Sequence, residues 1–289
     1  MKEMTVVTEK AYAKINLGLK ILGRRVDGFH DILSVMQTVD LCDTLTLVEK
    51  SKEIDVHCSG IEGVPDGEKN LAYKATALLK KEYNVKKGVS ITIHKRIPVG
   101  AGLGGGSSDA AATLRGLNRL WKLKTTEFEL LNIASSVGSD VPFLLRKGTA
   151  IASRRGETLH YLKLPKPLIY VAVYPGFAVS TEWAYKNRKN DLTSGDKYVN
   201  FILSLKRGLT DKEPPFQDVK NDLEQTVENR YPQIGEIKKK LLSAGAIMAS
   251  LSGSGSTVYG LFDDPSPARQ AAKTLQNSDW SIFVCRSVG

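Results

Sequence analysis

Apolar and polar residues alternate along residues 11–22, near the start of the chain. The apolar positions are Ala13, Ile15, Leu17, Leu19 and Ile21. Lys14 and Asn16 lie between them, and a strand would place both on the opposite face because side chains repeat every second residue. The pattern predicts a half-buried β-strand with one polar face. The Asp27-Gly28 pair predicts a turn over residues 24–30.

Other periodic segments fill the chain up to residue 155. They predict strands over residues 45–48, 54–57 and 89–94, and helices over residues 70–83, 108–121 and 139–142. We expect Ser107 or Ser108 to cap the helix over residues 108–121. Thr126 and Glu129 predict a capping box for another helix, with Gly138 as its C′ residue.

The order of the predicted elements changes after residue 155. The pattern predicts strands over residues 168–174, 247–251, 257–262 and 280–286, and helices over residues 233–244 and 266–275. A short helix is expected to open at Ser180 or Thr181, and a polar stretch over residues 187–197 predicts a loop. When the long polar insertion is left out, the order of elements is β-α-β-β-α-β, which is that of a split βαβ unit. The length of 289 residues allows either one large domain or two ordinary ones.

A glycine-rich segment joins the strand over residues 89–94 to the helix over residues 108–121. It consists of Pro98, Val99, Gly100, Ala101, Gly102, Leu103, Gly104, Gly105, Gly106, Ser107 and Ser108. Backbone N–H groups of such a loop can approach an anion closely, because glycine has no Cβ. A mobile surface loop is the alternative, but the loop lies between a clear strand and a well-capped helix. We expect it to bind a polyphosphate.

Two common phosphate-binding motifs are excluded by the context of this loop. Gly100, Gly102 and Gly105 match the dinucleotide fingerprint, but a second helix follows where that motif needs a strand and an acidic residue. The loop contains no lysine, which excludes a Walker A motif.

Composition narrows the classes of partner. Three scattered cysteines and four scattered histidines indicate neither a disulfide framework nor a protein-held metal. Residues 1–10 mix charges of both signs, and no apolar run could span a bilayer, so we expect a cytoplasmic protein without a membrane partner. The net charge of +10 fits either nucleic acid or an anionic small molecule. No RNA-binding module is evident, which favours the small anion over nucleic acid.

The glycine loop and the helix after it resemble the ATP loop of the galactokinase, homoserine kinase, mevalonate kinase and phosphomevalonate kinase superfamily, the GHMP kinases. The resemblance implies a small-molecule kinase that uses ATP. It also implies an α+β fold with two domains and the active site in the cleft between them. These are an N-terminal ATP-binding domain over residues 1–155 and a C-terminal split-βαβ (ferredoxin-like) domain over residues 156–289, which fits the change of pattern near residue 155. Mg²⁺ is expected to arrive with ATP.

Four further segments narrow the resemblance to one subfamily. They cover residues 11–19, 23–30, 138–143 and 251–256. Together they are similar to the 4-(cytidine 5′-diphospho)-2-C-methyl-D-erythritol kinases of non-mevalonate isoprenoid biosynthesis. The resemblance implies ATP-dependent phosphorylation of the substrate's 2-hydroxyl by a monomer or homodimer. Homoserine or mevalonate kinases are the alternative within the superfamily, and a basic nucleic-acid-binding protein is the alternative outside it.

The subfamily resemblance implies that Lys14 and Asp140 are a catalytic pair. Asp140 would accept or direct the proton of the acceptor hydroxyl, and Lys14 would neutralise phosphate charge. Asn16 would hydrogen-bond the substrate near that hydroxyl. From the residues alone, Asp140 could equally be a helix N-cap and Lys14 a solvated surface lysine.

The same resemblance implies a pocket for the cytosine base. Phe29 would stack on the base, His30 would bind its polar edge, and Tyr185 would lie near the nucleoside. Ordinary core aromatics are the alternative for Phe29 and Tyr185. Many relatives carry Tyr at the position of Phe29, so a contact from that hydroxyl is lost here.

A second glycine turn stands at residues 252–256. The resemblance implies that Gly253 and Gly255 belong to the phosphate end of the cleft, where N–H groups of the turn form an anion nest. A plain hairpin turn is the alternative. We expect Asp109 to stabilise the first turn of its helix rather than to bind Mg²⁺.

Overall fold

The computed structural model describes residues 5–188 and 219–289, and ten strands and eight α-helices occur within them. The strands are β1 (Val6–Arg24), β2 (His30–Lys50), β3 (Ile54–Ser59), β4 (Gly88–His94), β5 (Thr149–Arg154), β6 (Thr158–Leu162), β7 (Ile169–Tyr174), β8 (Met248–Leu251), β9 (Val258–Phe262) and β10 (Ser281–Arg286). The helices are α1 (Leu71–Glu82), α2 (Gly105–Leu120), α3 (Glu127–Val137), α4 (Val141–Arg146), α5 (Thr181–Lys186), α6 (Glu224–Arg230), α7 (Gln233–Ser243) and α8 (Pro265–Thr274). Most of the loop predicted over residues 187–197 lies outside the described residues.

The first of two compact units comprises residues 1–13, 41–99 and 104–147. In this unit β4 pairs in parallel with β3 and antiparallel with the end of β2. Helix α1 packs on α2, and α2 contacts α3 and α4. The predicted capping box is confirmed, since Thr126 accepts from the Glu129 N–H and the Glu129 carboxylate accepts from the Thr126 N–H.

The second unit comprises residues 14–40, 100–103 and 148–289. Its four-stranded sheet has the order β10-β7-β9-β8, and every neighbouring pair is antiparallel. Helix α7 precedes β8 in the chain, and α8 lies between β9 and β10. This arrangement confirms the predicted split βαβ unit and the α+β class. Apolar side chains of the sheet and its helices form one buried core, which includes Val171, Val173, Ile237, Leu241 and Val258.

Strands β1 and β2 pair with each other, and each runs from one unit into the other. The prediction of a half-buried strand over residues 11–22 is wrong in one respect. The apolar face is buried as expected, but Lys14, Asn16 and Lys20 on the polar face are buried as well. Their polar groups are tolerated there because the protein itself supplies hydrogen-bond partners.

Several predicted boundaries need correction. Helix α2 begins three residues earlier than predicted, and its N-cap is Gly104 in a left-handed conformation rather than Ser107 or Ser108. Gly138 is the C-cap of α3 in an extended conformation, not a left-handed C′ residue. Strands β5 and β6 and helix α6 were not predicted, since each spans at most seven residues and gives little periodic signal. The single domain boundary after residue 155 stays a prediction.

We predict opposite effects from removing two buried tyrosine hydroxyls in the second unit. The hydroxyl of Tyr259 donates to the Leu17 carbonyl over 2.7 Å, so Tyr259→Phe should lower the free energy of unfolding by ~1 kcal/mol. The hydroxyl of Tyr170 is buried with no hydrogen-bond partner among the described residues, so Tyr170→Phe should be neutral or stabilising. Urea unfolding of the two variants checks both. Equal destabilisation by the two changes would contradict this packing.

Candidate active site

Alternate glycines bend the predicted phosphate loop. Gly100, Gly102 and Gly104 all have positive φ, of 63°, 76° and 71°. The residues between them, Ala101 and Leu103, are buried. Those two side chains anchor the loop while the glycines adopt conformations that other L-residues rarely take. The alternative of a mobile surface loop is therefore wrong for this stretch.

In the second unit, the two glycine turns pack directly on each other. A Cβ on Gly102 would lie 2.1 Å from the Ser252 carbonyl oxygen and 2.8 Å from the Gly255 Cα. A Cβ on Gly255 would lie 2.1 Å from the Gly102 nitrogen. The Ser252 hydroxyl donates to the Gly102 carbonyl over 2.9 Å, and the Thr257 N–H donates to the Ala101 carbonyl over 3.1 Å. The sequence showed two separate turns, and the structure joins them.

The rest of the first loop lies in the other unit and opens helix α2. The first bond inside the helix runs from the Ser108 N–H to the Gly104 carbonyl. The N–H groups of Gly105, Gly106 and Ser107 precede it and so have no acceptor within the helix. They lie at the positive end of the helix dipole. The Ser108 hydroxyl is occupied, because it donates to the Tyr12 carbonyl.

The two residues that precede the glycines differ in exposure. Pro98 is buried, whereas Val99 is 42% exposed. The partly exposed Val99 side chain therefore forms an apolar surface beside the start of the loop.

A buried lysine with two carboxylates supports this helix, and sequence reasoning missed it. The Lys95 ammonium donates to Asp43 over 2.5 Å and to Asp109 over 2.6 Å. Burial would lower the pKa of Lys95, but Asp109 and Asp43 raise it above its ordinary value. Burial, with Asp43 nearby, raises the pKa of Asp109, and the Lys95 ammonium opposes that rise. The Asp109 carboxylate contacts the Lys95 ammonium, and because α2 begins at Gly105 it lies beyond the first turn. The expectation that Asp109 stabilises the first turn of this helix is therefore wrong.

In the second unit, Lys14 and Asn16 belong to one hydrogen-bonded chain. The Lys14 ammonium donates to the Asn16 side-chain oxygen, and the Asn16 amide donates to the Ser34 hydroxyl over 2.8 Å. Ser34 in turn donates to the Gly18 carbonyl over 2.7 Å. Lys14 is 5% exposed, so the alternative of a solvated surface lysine is wrong.

Gly253 lies against this chain. It has a φ of 58°, and a Cβ there would lie 2.9 Å from the Asn16 side-chain oxygen and 3.3 Å from the Lys14 ammonium. The Asn16 N–H donates to the Ser252 hydroxyl over 3.2 Å. The second glycine turn therefore adjoins the predicted catalytic lysine and is not a plain hairpin turn.

Asp140 stands at the N-cap position of α4, but its carboxylate makes no capping hydrogen bond. The alternative that Asp140 serves as a helix cap is therefore wrong. Lys14 and Asp140 belong to different compact units, and their pairing stays a prediction.

The residues predicted to bind a base cluster around the turn between β1 and β2. Phe29 is 51% exposed, and the Arg155 guanidinium lies 4.0 Å from its ring centroid. The rings of His30 and Tyr185 are 5.1 Å apart and tilted by 32°. Phe29 is thus not a core residue, whereas Tyr185 packs partly against the core of the second unit.

Charge around this turn acts on His30. Burial, together with the positive charges of Arg188 and Arg24, lowers the pKa of His30. The imidazole is therefore mainly neutral at pH 7, with one donor and one acceptor nitrogen for a ligand.

Residues 5–188 and 219–289 contain neither a cluster of metal-binding side chains nor a membrane-spanning helix. No group of three or more His, Cys, Asp or Glu side chains there could hold a metal ion. No helix in those ranges is long and apolar enough to cross a membrane.

Comparison with known proteins gives concordant matches. Residues 70–148 match the family model described as GHMP kinases N terminal domain, and residues 205–281 match GHMP kinases C terminal. A 4-diphosphocytidyl-2-C-methyl-D-erythritol kinase of Thermodesulfovibrio yellowstonii is 44% identical over 98% of this chain and 97% of its own length. A protein of the same name from Caldanaerobacter subterraneus is 47% identical over 88% of each chain.

Solved structures agree in fold. A crystal structure of 4-(cytidine 5′-diphospho)-2C-methyl-D-erythritol kinase matches with a TM-score of 0.80 and 34% identity, over 98% of this chain and 99% of the other. A homoserine kinase from Cytophaga hutchinsonii also has a TM-score of 0.80, but at 20% identity, over 100% of this chain and 96% of the other. That second likeness shows the fold alone.

We predict that the close contact between the glycine turns is sensitive to a single methyl group. Gly102→Ala places a Cβ against the Ser252 carbonyl at a positive φ, so it should cost at least ~1–2 kcal/mol of stability and weaken ATP binding. Gly23→Ala is the control, because a Cβ there meets nothing within 4 Å. Thermal unfolding and ATP titration of both variants check this. An unaffected Gly102→Ala would show that the turns can separate freely.

Proposed function

The chain belongs to the GHMP kinases and, among them, to the 4-diphosphocytidyl-2-C-methyl-D-erythritol kinases, and we propose that it phosphorylates the 2-hydroxyl of 4-diphosphocytidyl-2-C-methyl-D-erythritol with ATP. The products are the 2-phosphate and ADP, in the non-mevalonate route to isoprenoid precursors. The observation that carries this proposal is the buried Lys14–Asn16 chain beside two interlocked glycine turns. A fixed cation and close backbone donors suit a moving phosphoryl group.

The first glycine loop and the start of α2 bind the triphosphate of ATP in this proposal. The N–H groups of Gly105, Gly106 and Ser107 lack acceptors within the helix and lie at its positive end. Phosphate oxygens can supply those acceptors. Lys95, with Asp43 and Asp109, holds the helix start in place without being exposed itself.

We propose that Mg²⁺ enters with ATP and is held mainly by phosphate oxygens and water. Asp109 is the acidic residue nearest the loop in sequence, and its carboxylate is engaged by Lys95. When bound, the ion neutralises charge on the phosphates.

The transfer step then follows from Lys14 and Asp140. The acceptor oxygen forms a bond to the γ-phosphorus, and the bond from that phosphorus to the β,γ-bridging oxygen breaks, so ADP leaves with the electron pair. The hydroxyl proton passes to the Asp140 carboxylate. Lys14 neutralises charge on the transferring group. The Asn16 side-chain oxygen accepts a hydrogen bond from the Lys14 ammonium and so fixes the orientation of the Lys14 side chain.

The cytidine moiety occupies the cluster at the turn between β1 and β2. Phe29 offers an exposed ring to stack on the base, and neutral His30 offers hydrogen bonds to its polar edge. Tyr185 lies beside His30. The surrounding arginines and the net charge of +10 attract the diphosphate of the substrate. We propose that the enzyme is cytoplasmic.

Homoserine and mevalonate kinases share the fold, but their substrates contain no base. An exposed Phe29 beside His30 and Tyr185 would serve no purpose for such substrates, so we favour the cytidylated one.

An assay of ADP release decides between these substrates. Purified protein with ATP, Mg²⁺ and 4-diphosphocytidyl-2-C-methyl-D-erythritol should release ADP, and turnover with only homoserine or mevalonate would overturn the proposal.

A matched pair of aspartate variants tests the role of Asp140. Asp140→Asn should lower kcat by at least ~10²-fold with little change in nucleotide affinity, because the amide cannot accept the proton. Asp264 is the control, since its carboxylate does cap a helix and Asn caps equally well. Asp264→Asn should therefore remain active. If Asp140→Asn kept wild-type kcat, Asp140 would have no role in proton transfer.

A further inference from the structure

Asn221 lies in a short segment that is fastened to strand β1. The Leu19 N–H donates to the Lys220 carbonyl over 3.2 Å, and the Asp222 N–H donates to the Leu19 carbonyl over 2.8 Å. The Asp222 carboxylate accepts from the Ile21 N–H over 2.9 Å and from the Lys20 ammonium over 3.0 Å. The segment therefore follows β1, which also carries Lys14 and Asn16.

The side chain of Asn221 connects this segment to the second glycine turn. It is 5% exposed, and its amide nitrogen donates to the Leu251 carbonyl over 2.8 Å and to the Gly253 carbonyl over 2.7 Å. Its oxygen accepts from the Leu223 N–H over 2.9 Å. The orientation of the amide is fixed by these partners, because a flip would place its oxygen against two carbonyl oxygens.

These bonds determine which way the turn presents its backbone. The Gly253 carbonyl points at Asn221, and in a trans peptide the N–H of Ser254 points the opposite way. Gly253 itself lies against Asn16 and Lys14. Asn221 thus keeps the carbonyl away from the ligand side of the turn and leaves an N–H donor there.

We infer that Asn221 is a positioning residue for phosphoryl transfer, which rests on the proposed function above. It holds the second glycine turn against β1 so that the Ser254 N–H and Lys14 face the same phosphoryl group. Asn221 is buried, and in this inference it acts through the Leu251 and Gly253 carbonyls rather than by binding substrate or ATP.

Asn221→Asp is a near-isosteric test. It keeps an oxygen for the Leu223 N–H but replaces both donated bonds with a carboxylate oxygen that faces two carbonyls. We expect kcat to fall by ~10²-fold, while KM for ATP changes by no more than about threefold, because the turn no longer holds the Ser254 N–H toward the transferring group. Asn229→Asp introduces the same charge at an exposed site of α6 and should keep wild-type kcat.

A second variant covers the case in which Asn221→Asp does not fold. Asn221→Ser keeps one donor without adding charge, and should lose kcat to a smaller extent. Wild-type kcat in a folded variant of either kind, or an increase in KM for ATP alone, would overturn the inference. If the unmodified protein does not turn over the cytidylated substrate, the proposed function fails instead, and the two failures are distinguished.

Discussion

The site depends on one constraint, which is that two glycine turns pack so closely that no Cβ fits between their backbones. At Gly102 and at Gly255, backbone atoms of the opposite turn fill the space that a Cβ would need, so only glycine fits at either position. The loop over residues 100–103 and the turn over residues 252–256 therefore keep one arrangement, and Asn221 joins the second of them to residues 220–222 beside β1. A phosphate site gains from this rigidity, since donors that are already in place need no reorganisation during the reaction.

Burial of charge is the second physical theme. Lys14 and Lys95 each give up most of their contact with water, which costs free energy unless polar partners replace it. Lys14 donates to the side-chain oxygen of Asn16, and in the proposed function its ammonium attracts phosphate. Lys95 finds two carboxylates and is neutralised, which suits a structural role. Lys95 therefore supports the start of α2, whereas Lys14 is the lysine proposed for catalysis.

Local signals predicted much of the fold, and long-range contacts account for what was missed. The capping box at Thr126 and the strand at β4 depend on neighbouring residues and were readable from the sequence. The pairing of Lys95 with Asp43 spans 52 positions, and the partners of Asn221 are about 30 positions away, so no periodic pattern reveals either. The start of α2 at Gly105 was missed because glycine has a low helix propensity. Tertiary contacts override that propensity in the folded protein. The residues proposed to bind the base were predicted only through a family resemblance.

The site of phosphorylation tests the central claim most directly. ³¹P NMR of the product formed from ATP and 4-diphosphocytidyl-2-C-methyl-D-erythritol should show the intact diphosphate and one new phosphate monoester. That monoester should lack three-bond coupling to hydrogen, because the 2-hydroxyl is on a tertiary carbon. A monoester split by such coupling, or inorganic phosphate without a new monoester while ATP is consumed, would contradict the account.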